Sequence, residues 1–211
     1  MAAFGLFLTM THLKQALNSF LNDDALLEVI ASVLDRFGEN DVTHYKPIRE
    51  IAGDNLTEVL LELWNWKLII PVRSSKCGEW DSRILLVSAG ESYEMPNISR
   101  MLVKNAQLSG EWDSSRAIYD LFKVMGEPEW EKMPDLVLAI KHGCIHHTIS
   151  GVGIGMACSR NGLKNKTGNM IAVLKGSGII SPKLMALGEV VRSSSPLYEF
   201  NPSVYAELGA F

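Results

Sequence analysis

A short pattern occurs twice in this chain, and it limits the fold more than any other feature. Leu63, Leu68, Ile69 and Pro71 are matched 111 positions later by Leu174, Ile179, Ile180 and Pro182. In both places a helical face runs into an apolar pair and then a proline, which favours duplication of one unit over chance. A chain of 211 residues has room for two units of roughly 100 residues each.

The flanking periodicities repeat the same order of elements. Leu26, Leu27, Ile30, Val33, Leu34 and Phe37 share a helical face behind the N-cap cluster Asn22-Asp23-Asp24, and Gly38 ends it. A short helix runs from Pro47 to Gly53. The next carries Leu56, Val59, Leu60 and Leu63, with Asp54 or Asn55 as its cap. Residues 68–72 have strand character, 74–81 read as a polar loop and 83–87 as a second strand. The second round begins at Ser114, a cap for the face Ala117, Ile118, Leu121, Phe122 and Met125, ended by Gly126 and Pro128. Helices around 136–140, 154–161 and 166–175 lead to a strand starting at Ile179 and a partner strand starting at Gly188. The expectation is a mainly α chain with small β hairpins, of the α+β class. Its parts are an N-terminal helix (1–22), a first module (23–90), a connecting segment with a helix near 98–106 (91–112) and a second module (113–211).

Phe4, Phe7, Leu8, Leu13, Leu17, Phe20 and Leu21 recur at near-helical spacing. They predict an amphipathic helix whose apolar stripe is covered by the same chain or by a second subunit. No basic residue precedes this run and no small-residue cleavage site follows it, so a signal peptide fits poorly. No apolar run approaches the roughly 18 residues that span a bilayer, and no membrane partner is expected. Apolar residues make up 47% and charged residues 21%, which excludes a disordered chain. Cys77, Cys144 and Cys158 are odd in number and widely spaced. That argues against a disulfide framework and for a reducing cytoplasm.

The net charge of −4 hides a division. Between positions 141 and 192 stand Lys141, Arg160, Lys164, Lys166, Lys175, Lys183 and Arg192 against Glu189 alone. With Glu199 and Glu207 beyond them, the first 140 residues must carry −8. Such asymmetry suggests that one half meets an anion and the other does not.

Residues 154–180, IGMACSRNGLKNKTGNMIAVLKGSGII, resemble the helix-turn-helix of winged-helix regulators. A short apolar helix ends in a Gly-containing turn. A basic start to a second helix follows, then an apolar face, a Gly and a strand leading to a wing. Residues 48–72 look like a second, poorer copy. The resemblance implies two tandem winged-helix modules behind the N-terminal helix. It also implies that Lys164, Lys166, Thr167 and Asn169 open a recognition helix, whose first residues meet base edges and phosphates in the major groove. Lys175 lies further along that helix, Arg160 precedes the turn, and Lys183 and Arg192 flank the wing. Five or six phosphate contacts would give a salt-dependence slope of roughly −5.

The first copy departs from this pattern. Its second helix carries Glu58 and Glu62 and ends in Trp64-Asn65-Trp66. Carboxylates repel phosphate, while aromatic side chains are enriched at interface centres. This half is expected to pack against protein, with Phe4, Phe7, Leu8, Trp64 and Trp66 as interface candidates in a homodimer or with another protein.

Other constellations carry less. His142, Cys144, His146, His147 and Cys158 match no standard zinc spacing and read as structural, so no metal and no cofactor are expected. Gly151, Gly153 and Gly155 lack the preceding parallel strand and the Gly-x-Gly-x-x-Gly spacing of a dinucleotide loop and suit close helix packing or a hinge. No Gly-x-Ser-x-Gly elbow or HExxH motif is present, and an enzyme is not expected. The leading expectation is a cytoplasmic DNA-binding transcriptional regulator whose second module contacts duplex DNA. The alternative is a winged-helix scaffold that binds proteins and no nucleic acid.

Overall fold

The computed structural model describes residues 2–206 apart from 22, 39–41, 73–78, 81–82 and 184–194, with side chains described from residue 8 onward. Helix α1 (Ala2–Leu17) leads into α2 (Asp24–Gly38). Asp23 starts α2, because its Oδ1 accepts from the backbone N–H groups of Ala25 at 3.0 Å and Leu26 at 3.3 Å. This satisfies donors that the first helical turn leaves open. Then come β1 (Val42–His44), α3 (Tyr45–Ala52), a 3-10 turn (Gly53–Asn55), α4 (Leu56–Asn65), β2 (Ile70–Pro71) and β3 (Ser92–Glu94). After α5 (Asn97–Ser109) and α6 (Ser114–Val124), the second half continues through α7 (Met133–His142), β4 (Thr148–Ser150) and α8 (Gly151–Arg160). A 3-10 turn (Lys164–Lys166), α9 (Thr167–Gly176), β5 (Ile180–Pro182) and β6 (Leu197–Phe200) complete it.

The duplication is visible in three dimensions. Each half has a three-stranded antiparallel sheet, ordered β1-β3-β2 in one and β4-β6-β5 in the other. Pro71 lies opposite Tyr93 as Pro182 lies opposite Tyr198. The helix-to-strand turns also match. Lys67 and Gly178, 111 positions apart, both adopt left-handed backbone, at φ 51° and 77°. Behind them the Leu68 amide donates to Leu63 O at 2.9 Å and the Ile179 amide to Leu174 O at 3.1 Å. Leu63 and Leu174 are fully buried, and each such side chain stabilises the fold by about 1.5–3 kcal/mol.

The halves share one continuous apolar core, with α5 packed against both α1 and α6. A hydrogen-bonded joint adds to it. Asn201 Nδ2 donates to Lys67 O at 3.4 Å and to Gly178 O at 3.1 Å, so one amide holds both of the matched turns. Ser99 Oγ donates to the same Lys67 carbonyl, and the Ile98 amide donates to Ser177 O at 2.9 Å. Leu13, Ala16 and Leu17 of α1 are buried in this core, so the cover of that part of the stripe comes from the same chain. Leu8 is 49% exposed, while the side chains of Phe4 and Phe7 lie outside the described residues.

Several elements differ from the sequence expectation. Residues 83–87 form no strand; the partner of β2 is β3, at positions assigned to the connecting segment. Leu85 and Val87 still pack on the core, but the ladder goes to the run that buries Tyr93 completely. Its hydroxyl donates to Leu86 O, and burial pushes it up to about 12. The first strand of each sheet has only three residues, too few for a period-2 signal. In the second sheet the partner strand is β6, while the run expected from Gly188 lies outside the described residues. Helix α6 is capped by Asp113, whose side chain accepts from the Arg116 amide at 2.8 Å. The expected cap, Ser114, is buried and accepts from the Tyr205 amide instead.

Candidate nucleic-acid interface

The segment from α8 to α9 is built as a rigid corner. Ser150 Oγ caps α8 by accepting from the Gly153 amide at 3.1 Å. A Cβ at Gly153 would stand 2.8 Å from Ile149 Cγ1, so glycine lets the helix start close against its strand. The Gly151 and Val152 amides donate to Pro196 O and Ser195 Oγ. Gly151 and Gly153 therefore serve packing, whereas a Cβ at Gly155 would make only ordinary contact, and the amides a phosphate loop would need are already engaged. Gly162 reverses the chain at φ 72°, and the buried Leu163 anchors the turn through its amide on Cys158 O at 2.7 Å.

Helix α9 then divides cleanly between two faces. Met170 and Leu174 point into the core, where they meet Ile154, Ala157 and Cys158 of α8. Gly168, Asn169, Ala172 and Lys175 face outward and are exposed, as are Arg160, Lys164 and Lys166 before the helix. Thr167 is half-buried, with Oγ1 donating to Lys164 O at 2.9 Å, so it shapes the turn as well as its surface.

The expected basic set is brought together only in part. Lys164, Lys166, Thr167 and Asn169 gather at the N-terminal end of α9, and Arg160 ends α8 before the turn. Lys175 stands eight residues along, about 12 Å away at 1.5 Å per residue. There it lines a crevice with Trp80 and Arg83 of the first half. Lys183 sits beyond β5, its Nζ 3.4 Å from Thr148 Oγ1. Arg192 lies outside the described residues.

A feature the sequence reading missed controls this tip. Glu129 reaches both Lys132 Nζ at 2.7 Å and Lys166 Nζ at 2.5 Å. Hydrogen bonds from these two ammonium groups hold its carboxyl down at about 2, far below the usual 4.5. The trio keeps one positive charge, and Lys132 joins the cationic surface. The pairing crosses 37 positions in sequence, and no local spacing signals it.

The first half presents a different surface at the corresponding place. The exposed residues of α4 are Thr57, Glu58, Leu61 and Asn65. Glu62 accepts from Trp66 Nε1 at 3.0 Å, and Trp66 packs on Phe20 with ring centroids 4.8 Å apart. Trp66 is 8% exposed, which corrects its expected place on an open interface. Trp64 is half-buried beneath Lys67 Nζ, 4.1 Å from the ring centroid. Trp66 is drawn inward by Phe20, a partner distant in sequence, whereas Trp64 is covered by its near neighbour Lys67.

The histidine–cysteine cluster is also dispersed. Cys144 Sγ donates to Ile140 O, and burial pushes the thiol up to about 11. Cys158 is buried under α9, and His146 is exposed in a turn. Among the described residues, no three His, Cys, Asp or Glu side chains converge as a metal site. Nor is any helix long and apolar enough to cross a membrane.

A protein-family model matches residues 11–208. The chain belongs to that family. The match covers both halves of the chain and the helices joining them. Neither the curated proteins nor the solved structures gave a match to the chain.

Proposed function

We propose that this protein is a tandem winged-helix DNA-binding regulator whose second half reads duplex DNA with the N-terminal end of α9. The order strand, helix, turn, helix, strand, strand, present in both halves, supports the winged-helix reading. The observation that carries the function is the open cationic corner. Arg160, Lys164, Lys166 and Asn169 are exposed together where a recognition helix meets the groove. Lys suits phosphate as a mobile charge, and Asn pairs in bidentate fashion with adenine. In this reading the protein acts as a homodimer, which sets two α9 tips about one helical turn of DNA apart, roughly 34 Å. Its place of action is the cytoplasm.

The test is retention on duplex DNA across a salt series. Lys164→Glu combined with Lys166→Glu, both on exposed sites, should weaken binding at least tenfold and flatten the salt slope by roughly 2. The thermal midpoint should stay near the parent value. Unchanged DNA affinity at every salt concentration would sink the reading and leave the protein-binding scaffold in its place.

A further inference from the structure

A second site lies where the two halves meet, remote in role from the α9 tip. A cavity of about 570 Å³ opens between the start of α2, the end of α4 and strand β6. That volume falls within the roughly 300–1,000 Å³ typical of small-molecule sites. Its apolar wall is formed by Phe20, Leu26, Trp66 and Pro202, of which Leu26, Trp66 and Pro202 are buried. The Phe20 and Trp66 rings meet edge to face, and the Trp66 indole is fixed by its bond to Glu62. A rigid aromatic wall of this kind attracts a cation to its ring faces.

The polar groups select the same charge. Asp23, Glu62 and Glu199 line the cavity from three different elements, with Asn65 and His147 beside them. Lys67 Nζ lies 3.7 Å from Glu199 and is almost wholly buried; among the described residues no Lys or Arg lines the cavity. A carboxylate accepts about four hydrogen bonds, so the single Glu62–Trp66 contact leaves that group able to accept more. An anion entering here would meet the repulsion of three carboxylates.

We infer that this inter-half cavity binds a small organic cation, an ammonium group on an apolar or aromatic body. The ammonium is held by Glu62 and Asp23, and the body lies against Trp66 and Phe20. Because Glu199 belongs to the second half and Glu62 to the first, an occupant touches both.

The experiment uses the full chain, with 2-phenylethylamine as probe and 3-phenylpropionate as its anionic counterpart. Calorimetry should show saturable binding of the amine and none of the carboxylate, with a shift of the Trp66 indole N–H resonance. Glu62→Gln keeps an acceptor for Trp66, and Asp23→Asn keeps a helix cap, so both variants preserve the fold. Each should weaken the amine about tenfold, the loss of one charge-assisted contact. The inference fails if the amine does not saturate, if both probes bind alike, or if the double variant binds the amine as tightly as the parent. None of these readouts involves DNA, so the inference stands or falls separately from the regulator proposal.

Discussion

Helices α4 and α9 occupy the same place in two copies of one unit, yet they offer opposite surfaces. Their inner faces do the same work: Val59, Leu60 and Leu63 in one, Met170 and Leu174 in the other, all buried. Their outer faces diverge, with Glu58 and Leu61 exposed on α4 and Asn169, Lys175 and the Lys164–Lys166 turn exposed at α9. Packing constrains only the face that must be buried. A duplicated scaffold is therefore free to give its two outward helices different partners, and shared fold carries no shared function.

The strongest way to break this comparison is to attack what makes the halves one body. Asn201 is fully buried; its Nδ2 serves both turn carbonyls while its Oδ1 accepts from Ser203. Asn201→Asp would aim a buried acceptor at two carbonyls and should cost about 3 kcal/mol. For a chain of this size that lowers the thermal midpoint by about 6–12 °C. Calorimetry should still show one transition; a split into two would mean that the halves unfold independently.

The matched turns allow a slightly smaller and sharper test. Gly178 and Lys67 share left-handed backbone, but a Cβ at 178 would stand 2.6 Å from Pro96 Cβ. Gly178→Ala should therefore cost about 2 kcal/mol through strain and overlap. Lys67 already carries a side chain in this conformation, with its carbonyl held by Ser99. Chemical denaturation that finds Gly178→Ala neutral would show that the second turn is less confined than its geometry states.

The same contrast explains what the sequence made legible. Offset 111 was readable because Leu, Ile and Pro mark the end of a helix and the start of a strand locally. The caps at Asp23 and the reversals at Gly126 and Gly162 were readable for the same reason, since φ and a capping oxygen are local properties. What failed was everything decided across the chain. Strand β3 carries the dipeptide Tyr93-Glu94, repeated at Tyr198-Glu199 in β6, and that repeat would have located both middle strands. Residues 83–87 were more β-prone by composition, but the ladder follows the burial of Tyr93. At the candidate site, the corner of α8 and α9 was legible, whereas the Glu129 clasp and the inward turn of Trp66 depend on long-range partners.

A charge change on α4 probes the divergence itself. Glu58 is exposed and one turn from Glu62, so Glu58→Lys should change stability by no more than about 0.5 kcal/mol. If the first half stays away from DNA because of its carboxylates, this variant should gain affinity at low salt and steepen the salt slope by about 1. If α4 is turned from the duplex altogether, binding will not move, and the asymmetry is one of geometry rather than charge.

The smallest expected effect concerns Glu129, which ties the second half's tip to the segment before α7. Its carboxyl sits near 2 in the folded protein against 4.5 ordinarily, because Lys132 and Lys166 both donate to it. A folded-state value below the unfolded one means stabilisation that is present above about pH 4.5 and disappears as pH falls towards 2. Glu129→Gln should therefore melt slightly below the parent at pH 7, with the gap closing through that acid window. The clasp faces solvent, so the gap should be small. DNA binding should move the other way, rising a few-fold as Lys166 is released to phosphate. A fall in affinity would mean that Glu129 orients Lys166 for binding, and that the clasp is part of the interface instead of a competitor with it.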